Sequence, residues 1–211
     1  MSPPKTARSA VEGDHSLVEQ AVRRSLQSRE DAVRAEVQRL LDATLVVIRR
    51  TGVESSPKVA DIVAEAGLSN QAFYRHFAGR DDLLAAVAEA GAVRLVSYLG
   101  HQMGKFTEPA DQIGVWIRGV LGQAAKPSVA RDTRAVVSSG RRSRRPIAVP
   151  QSAPGLLVEP LRRLGSADPE RDADVIASAV FGRLEYHLWV RPPSDEDTEH
   201  LVAFCLAAVG G

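Results

Sequence analysis

A single cysteine, Cys205, stands in a chain of 211 residues. It excludes an intrachain disulfide framework and any multi-cysteine zinc site, and it fits a reducing cytoplasm. No unbroken run of about 18 apolar residues occurs, so no membrane span is expected. The opening Met-Ser-Pro-Pro-Lys has no apolar run behind it, which argues against a secretory leader. No charge of one sign dominates: 27 Lys and Arg face 26 Asp and Glu, for a net +1. A strongly basic total would itself point to nucleic acid. Here any such partner has to be argued from local chemistry, since only a contacting face needs positive potential. Catalytic signatures are missing too. There is no phosphate-cradling glycine loop, no Gly-x-Ser-x-Gly elbow and no His-Glu-x-x-His, and nothing supports an enzyme. His101, His187 and His200 lack the i, i+4 spacing of a helical metal site, so neither metal nor cofactor is expected.

Hydrophobic residues make up 44% and charged residues 25% of the chain, enough for an ordinary packed core. The length suits one large domain, or a small one joined to a medium one. Valine and alanine recur at helical rather than alternating spacing, and no repeat is visible, so the chain reads as all-α. Residues 1–30 read as an N-terminal tail, with 16–29 open to either a short helix or disorder. From Asp31, the residues Val33, Val37, Leu40, Leu41, Thr44 and Ile48 keep helical spacing until Gly52. Ser55, Ser56 and Pro57 carry a serine cap with proline at the first helical position. The apolar face Val59, Ile62, Val63, Ala66 follows, ended by Gly67. Ser69 caps the next short helix, which Phe73 and Phe77 anchor and Gly79 closes. Longer helices are expected over 81–102, 109–125, 128–139, 155–164, 169–190 and 195–209, with a loop at 140–155.

A short helix, a turn opened by Gly67 and a second short helix make the helix-turn-helix plan. Its second helix presents N-terminal side chains to base edges in the major groove. Asn70 and Gln71 sit at that end, and an amide can bond adenine in two places. Tyr74, Arg75 and His76 offer donors to phosphate, as does Arg80 just beyond. Ser56 and Lys58 flank the first helix's N-terminus, where free backbone N–H groups favour anions.

The stretch Lys58-Val-Ala-Asp-Ile-Val-Ala-Glu-Ala-Gly-Leu-Ser-Asn-Gln-Ala-Phe-Tyr-Arg-His-Phe-Ala-Gly-Arg-Asp-Asp-Leu-Leu resembles the DNA-binding signature of the TetR family. The Gly-Leu-Ser turn, the Phe-Tyr-Arg-His-Phe run and the basic residue before Asp-Asp-Leu-Leu carry most of the likeness. The resemblance implies that Tyr74 and His76 hold phosphates, that Arg80 holds another, and that Asn70, Gln71 and Ala72, just after the cap Ser69, read bases. Val63 stands where the family usually has alanine, Lys58 where it often has threonine or serine, and Arg80 where lysine is commoner. The resemblance further implies a helix-turn-helix head at 31–80 and a ligand-binding and dimerising body at 81–211. The chain would then be a homodimeric regulator on a near-palindromic double-stranded operator, driven by a small-molecule effector. Release by the ligand, hence repression, is the commoner family pattern; recruitment is the other.

Met103, Phe106, Trp116, Tyr186 and His187 are the candidate lining of an apolar ligand pocket. Ile176, Ala179, Val180 and Arg183 with Leu201, Phe204, Cys205 and Ala208 are the candidate dimer faces. Glu185-Tyr186-His187 is no catalytic cluster, because adjacent helical residues point in different directions. The run Arg141–Arg145 reads as a solvated loop, with a second nucleic-acid patch as the alternative.

Overall fold

The computed structural model describes residues 6–52, 55–142 and 152–209, with side chains from residue 19 onward. The described residues form nine helices and no strand. α1 (Thr6–Thr51), α2 (Val59–Ala66), α3 (Asn70–His76) and the start of α4 (Arg80–Met103) make a head. α5 (Pro109–Ala125), α6 (Pro127–Arg142), α7 (Ser152–Leu164), α8 (Pro169–Trp189) and α9 (Asp195–Val209) make the body around the rest of α4.

α1 departs furthest from expectation. The helix read as beginning at Asp31 begins at Thr6 and runs for 46 residues. No glycine or proline falls between Asp14 and Thr51. Once residues 37–48 are fixed by the head, each preceding residue adds a hydrogen bond without a new nucleus. Polar pairs one turn apart support the exposed part: Gln27 donates to Asp31 at 3.2 Å and Gln38 to Asp42 at 2.9 Å. Gly52, at φ 86°, ends the helix where the sequence indicates.

Two cores organise the molecule. The head core joins Leu40, Val47 and Ile48 of α1 to Ile62, Phe73, Phe77, and Leu83, Leu84 and Val87 of α4, with Ala135 of α6 completing it. The body core joins Leu99, Ile113, Trp116, Ile117, Leu157, Leu161, Val180 and Leu188. α4 thus passes from one core into the other, and α6 touches both, with Ala130 in the body core and Ala135 in the head core. α4 and α6 cross closely at Gly91, where a Cβ would lie 2.5 Å from Val136 Cγ1.

By length and composition Arg80–Met103 could cross a membrane, with mean hydropathy 1.4 over its most apolar window. Glu89 and Arg94 interrupt it, so no unbroken apolar run marks it in the sequence. Its buried residues Leu83, Leu84, Val87, Leu99 and Met103 pack into the two protein cores.

The loop expected at 140–155 is shorter than its bounds. α6 continues to Arg142 and α7 begins at Ser152, while 143–151, with Arg144 and Arg145, lie outside the described residues. Arg141 pairs with Glu185 and stacks over the Trp189 ring at 5.5 Å. Arg142 donates to the Ser55 carbonyl at 2.6 Å. These two arginines tie α6 to α8 and to the loop before α2, which accounts for them structurally.

Candidate nucleic-acid interface

α2 starts two residues later than the serine-proline signal suggests. Lys58 takes the N-cap position in extended conformation and makes no side-chain cap bond. Pro57 is buried while Ser55 and Ser56 are exposed, so packing of the proline ring overrides its usual place at the first helical position. Lys58 is left exposed beside the helix N-terminus. At the other end Gly67 adopts φ 63°, ψ 36°. Leu68 N–H donates to Val63 C=O at 2.9 Å and Gly67 N–H to Ala64 C=O at 3.3 Å. This pair of bonds is the Schellman stop, and it requires a left-handed residue at Gly67.

Ser69 then accepts from Ala72 N–H at 3.1 Å, capping α3 as its type and position predict. α3 has only seven residues, too few to hold itself, so packing fixes it. Phe73 is fully buried, and Phe77 stacks near it at 5.9 Å between centroids. Phe77, not Gly79, caps the end of α3. Gly79 instead precedes α4 in extended conformation, and Asp82 closes the corner by accepting from Ala78 N–H at 3.1 Å.

This packing decides which side chains face outward. Ser69, Asn70, Gln71, Tyr74 and Arg75 are exposed, Tyr74 to 60%. Arg80 is 43% exposed and bonds Asp81 through Nε and Nη2, at 3.2 and 3.1 Å. Ala72 is turned into the head, 5% exposed, so it cannot reach a base; its place two residues after Asn70 puts it on the opposite side of the helix. His76 is also turned inward. Its ring is 7% exposed and Nε2 lies 2.6 Å from Glu36 Oε2 on α1. A carboxylate only accepts, so Nε2 is the donor and that nitrogen is taken. Arg75 Nη2 lies 3.4 Å from the same oxygen. The Glu36 carboxyl is held below its ordinary range, first by the His76 hydrogen bond, against burial, with Arg75 helping. Glu36 had no signal in the sequence, because it lies forty residues from His76 on a different helix.

Of the five residues expected to line a ligand pocket, Met103 and Trp116 share the body core and Tyr186 stands edge-on to His187 at 5.2 Å, but none of the five lines the large groove. Trp116 is fully buried and its Nε1 donates to Ala153 C=O at 3.2 Å, with Phe181 edge-on at 5.9 Å. Met103 lies in the body core, whereas Phe106 and Tyr186 are exposed. His187 is buried between Arg183, which donates to Nε2 at 3.2 Å, and the Arg191 carbonyl, 3.0 Å from Nδ1. An arginine cannot accept, so Nδ1 carries the hydrogen. A groove of about 1220 Å³ lies elsewhere, walled by α1, α4, α6 and α8 with Gln123 of α5 and Ser152 of α7, and lined in part by Leu45, Leu95, Tyr98, Phe181, Leu184 and Leu188.

The dimer candidates divide as well. Ile176, Val180 and Cys205 face the body core at 5%, 0% and 2% exposure and are unavailable to a partner. Ala179, Arg183 and Leu201 are half-buried, while Phe204 and Ala208 are exposed. Val175, not singled out in the sequence, is 62% exposed beside them on α8. Both sides of α8 are apolar, and spacing alone does not say which side turns inward.

Residues 40–87 match the family of bacterial regulatory proteins, tetR family. No curated protein matches the sequence. The fold is similar to that of a TetR-family transcriptional regulator from Streptomyces coelicolor, 19% identical with TM-score 0.62, covering 87% of this chain and 96% of that one. It is similar to a TetR-like regulator from Rhodococcus sp. RHA1, 21% identical with TM-score 0.57, over 83% and 96% of the two chains. RolR, solved in complex with resorcinol, is 18% identical with TM-score 0.57, over 86% and 90%. The matched segment spans the last quarter of α1, all of α2 and α3 and the first turns of α4, the same elements that build the head core. The head matches the tetR-family model over residues 40–87, and the whole chain has a fold similar to that of solved TetR-family transcriptional regulators.

Proposed function

We propose that this protein is a homodimeric transcriptional repressor that leaves a near-palindromic operator when a small, mostly apolar ligand binds. The observation that carries the reading is the exposed amide pair Asn70 and Gln71 on a helix locked by the Ser69 cap and the Gly67 stop. Tyr74, Lys58, Ser56 and Arg80 supply phosphate contacts around it, and the protein works in the cytoplasm, where its DNA is. The head is residues 31–80 and the body 81–211. No catalytic step is assigned to it.

The face formed by exposed Val175, Phe204 and Ala208 with half-buried Ala179, Arg183 and Leu201 pairs with its copy. Two-fold symmetry then sets the recognition helices one DNA turn, roughly 34–36 Å, or a multiple apart. The groove walled by α1, α4, α6 and α8 holds the effector. The apolar residues Leu95, Phe181 and Leu184 suit a nonpolar body, with Tyr98, Gln123 and Thr133 as polar handles. The complex of RolR with resorcinol, a small ring with two hydroxyls, is consistent with such a ligand. A ligand there touches α4, which begins at Arg80, so shifting α4 changes the spacing of the two heads. A coupling of about 1–3 kcal/mol changes operator affinity roughly 5–150-fold.

Fluorescence anisotropy on DNA upstream of the protein's own gene, followed by selection from a random duplex library, tests this. Wild type should select a duplex with two half-sites and bind it more weakly as salt rises. Failure to enrich any sequence would overturn the reading.

A further inference from the structure

Resting on the DNA-binding reading above, we infer that Glu36 is a positioning residue of the recognition helix: it clamps the C-terminal end of α3 to α1 and thereby aims Asn70 and Gln71. The geometry at the two ends of α3 carries this. At the N-terminal end the only described side-chain bond is the local Ser69 cap, which stays within the helix's own turn. On the inner face Phe73 and Phe77 supply apolar packing, which decides which side of the helix turns outward but, being non-directional, sets no single angle. At the C-terminal end Glu36 Oε2 meets two consecutive α3 residues, His76 Nε2 at 2.6 Å and Arg75 Nη2 at 3.4 Å. Adjacent helical residues point about 100° apart. One carboxylate holding both therefore fixes the rotation of the helix as well as its distance from α1.

The surroundings favour the same role. The carboxylate is 25% exposed and the imidazole 7%, so the bond is shielded from water. The groups around it are the Arg75 guanidinium and His76 imidazole from α3 and the Arg39 guanidinium from α1, each a fitting partner for a carboxylate. The two α3 donors lie in its last turn, where the positive charge of Arg75 also suits the helix dipole. The arrangement leaves His76 holding protein instead of phosphate, so its part in DNA binding is exerted through the aim of α3.

The experiment compares wild type with E36A, E36Q, H76A and the E36A/H76A pair. Each is titrated against the library-selected duplex and a scrambled duplex, and amide hydrogen exchange is followed over residues 73–77. Loss of a charge-assisted bond predicts roughly tenfold weaker binding of the selected duplex by E36A, with scrambled-duplex binding unchanged. H76A should weaken binding similarly, and the double variant no further than either. E36Q keeps an oxygen that accepts from Nε2–H, so it should recover most of the affinity and the slow exchange. E36A should show faster exchange confined to α3 while unfolding remains cooperative. Wild-type affinity and exchange in E36A would overturn the inference. Tighter binding by E36A would overturn it too, because the carboxylate would then be competing with phosphate for His76. If wild type selects no duplex, the DNA-binding reading fails, and the exchange arm alone decides whether Glu36 positions α3.

Discussion

At the residue scale, the same chemistry gives different outcomes according to what a side chain faces. Asn70 and Gln71 are exposed at the start of α3, so replacing either by alanine should cost about 1–3 kcal/mol of discrimination between cognate and altered base pairs. Lys58 lies at the start of α2, not on α3 where the amides proposed to read bases stand. Lys58→Ala should weaken binding to all duplexes alike and lower the slope of log affinity against log salt by about 1, measured by anisotropy at several salt concentrations. Asp197 shows the other extreme. Ser194 and Asp197 bond each other's backbone N–H groups at 2.9 and 3.1 Å, forming the capping box of α9, and Arg191 clamps the carboxylate from outside. The Asp197 carboxyl is driven far below its ordinary range, first by Arg191 and then by the Ser194 N–H and hydroxyl. A carboxyl depressed on folding contributes fully above its unfolded pKa and loses that contribution as pH falls through the folded one. Thermal unfolding of Asp197→Asn should therefore differ most from wild type near neutral pH, and the gap should close in strong acid.

At the element scale, stops and crossings matter more than helix propensity. Gly67 at φ 63° has open space around it, so the cost of a side chain there is conformational. Gly67→Ala should lose about 1–2 kcal/mol in urea unfolding. Gly91 is the opposite case, a glycine kept for proximity. A Cβ there meets Val136 at 2.5 Å, so Gly91→Ala should overpack the α4–α6 crossing by about 1–3 kcal/mol, and Val136→Ala in the same chain should recover part of it. The helix-turn-helix was legible because its signals are local: a left-handed glycine, a serine three residues before an amide it caps, and two phenylalanines one turn apart. The start of α1 was not legible, since capping types such as Asp31 also occur inside long polar helices. The true boundary depends on α1 being nucleated by the head.

At the scale of the whole molecule, the monomer leaves Val175 and Phe204 exposed at 62% each while Ile176, Val180 and Cys205 are consumed by the body core. Val175→Glu with Phe204→Glu should shift the protein toward monomer in sedimentation and weaken operator binding, with helix content by circular dichroism unchanged. The sequence by itself determined the all-α class, the α2–turn–α3 unit and the amides at the head of α3, because each follows from contacts within about ten residues. Only the tertiary structure decided which apolar side of α8 turns inward, which aromatics line a groove and which fill the core, and that His76 meets Glu36. Those choices are made between elements far apart in the chain. Helical spacing says only that two residues share a face, and packing alone decides what the face meets.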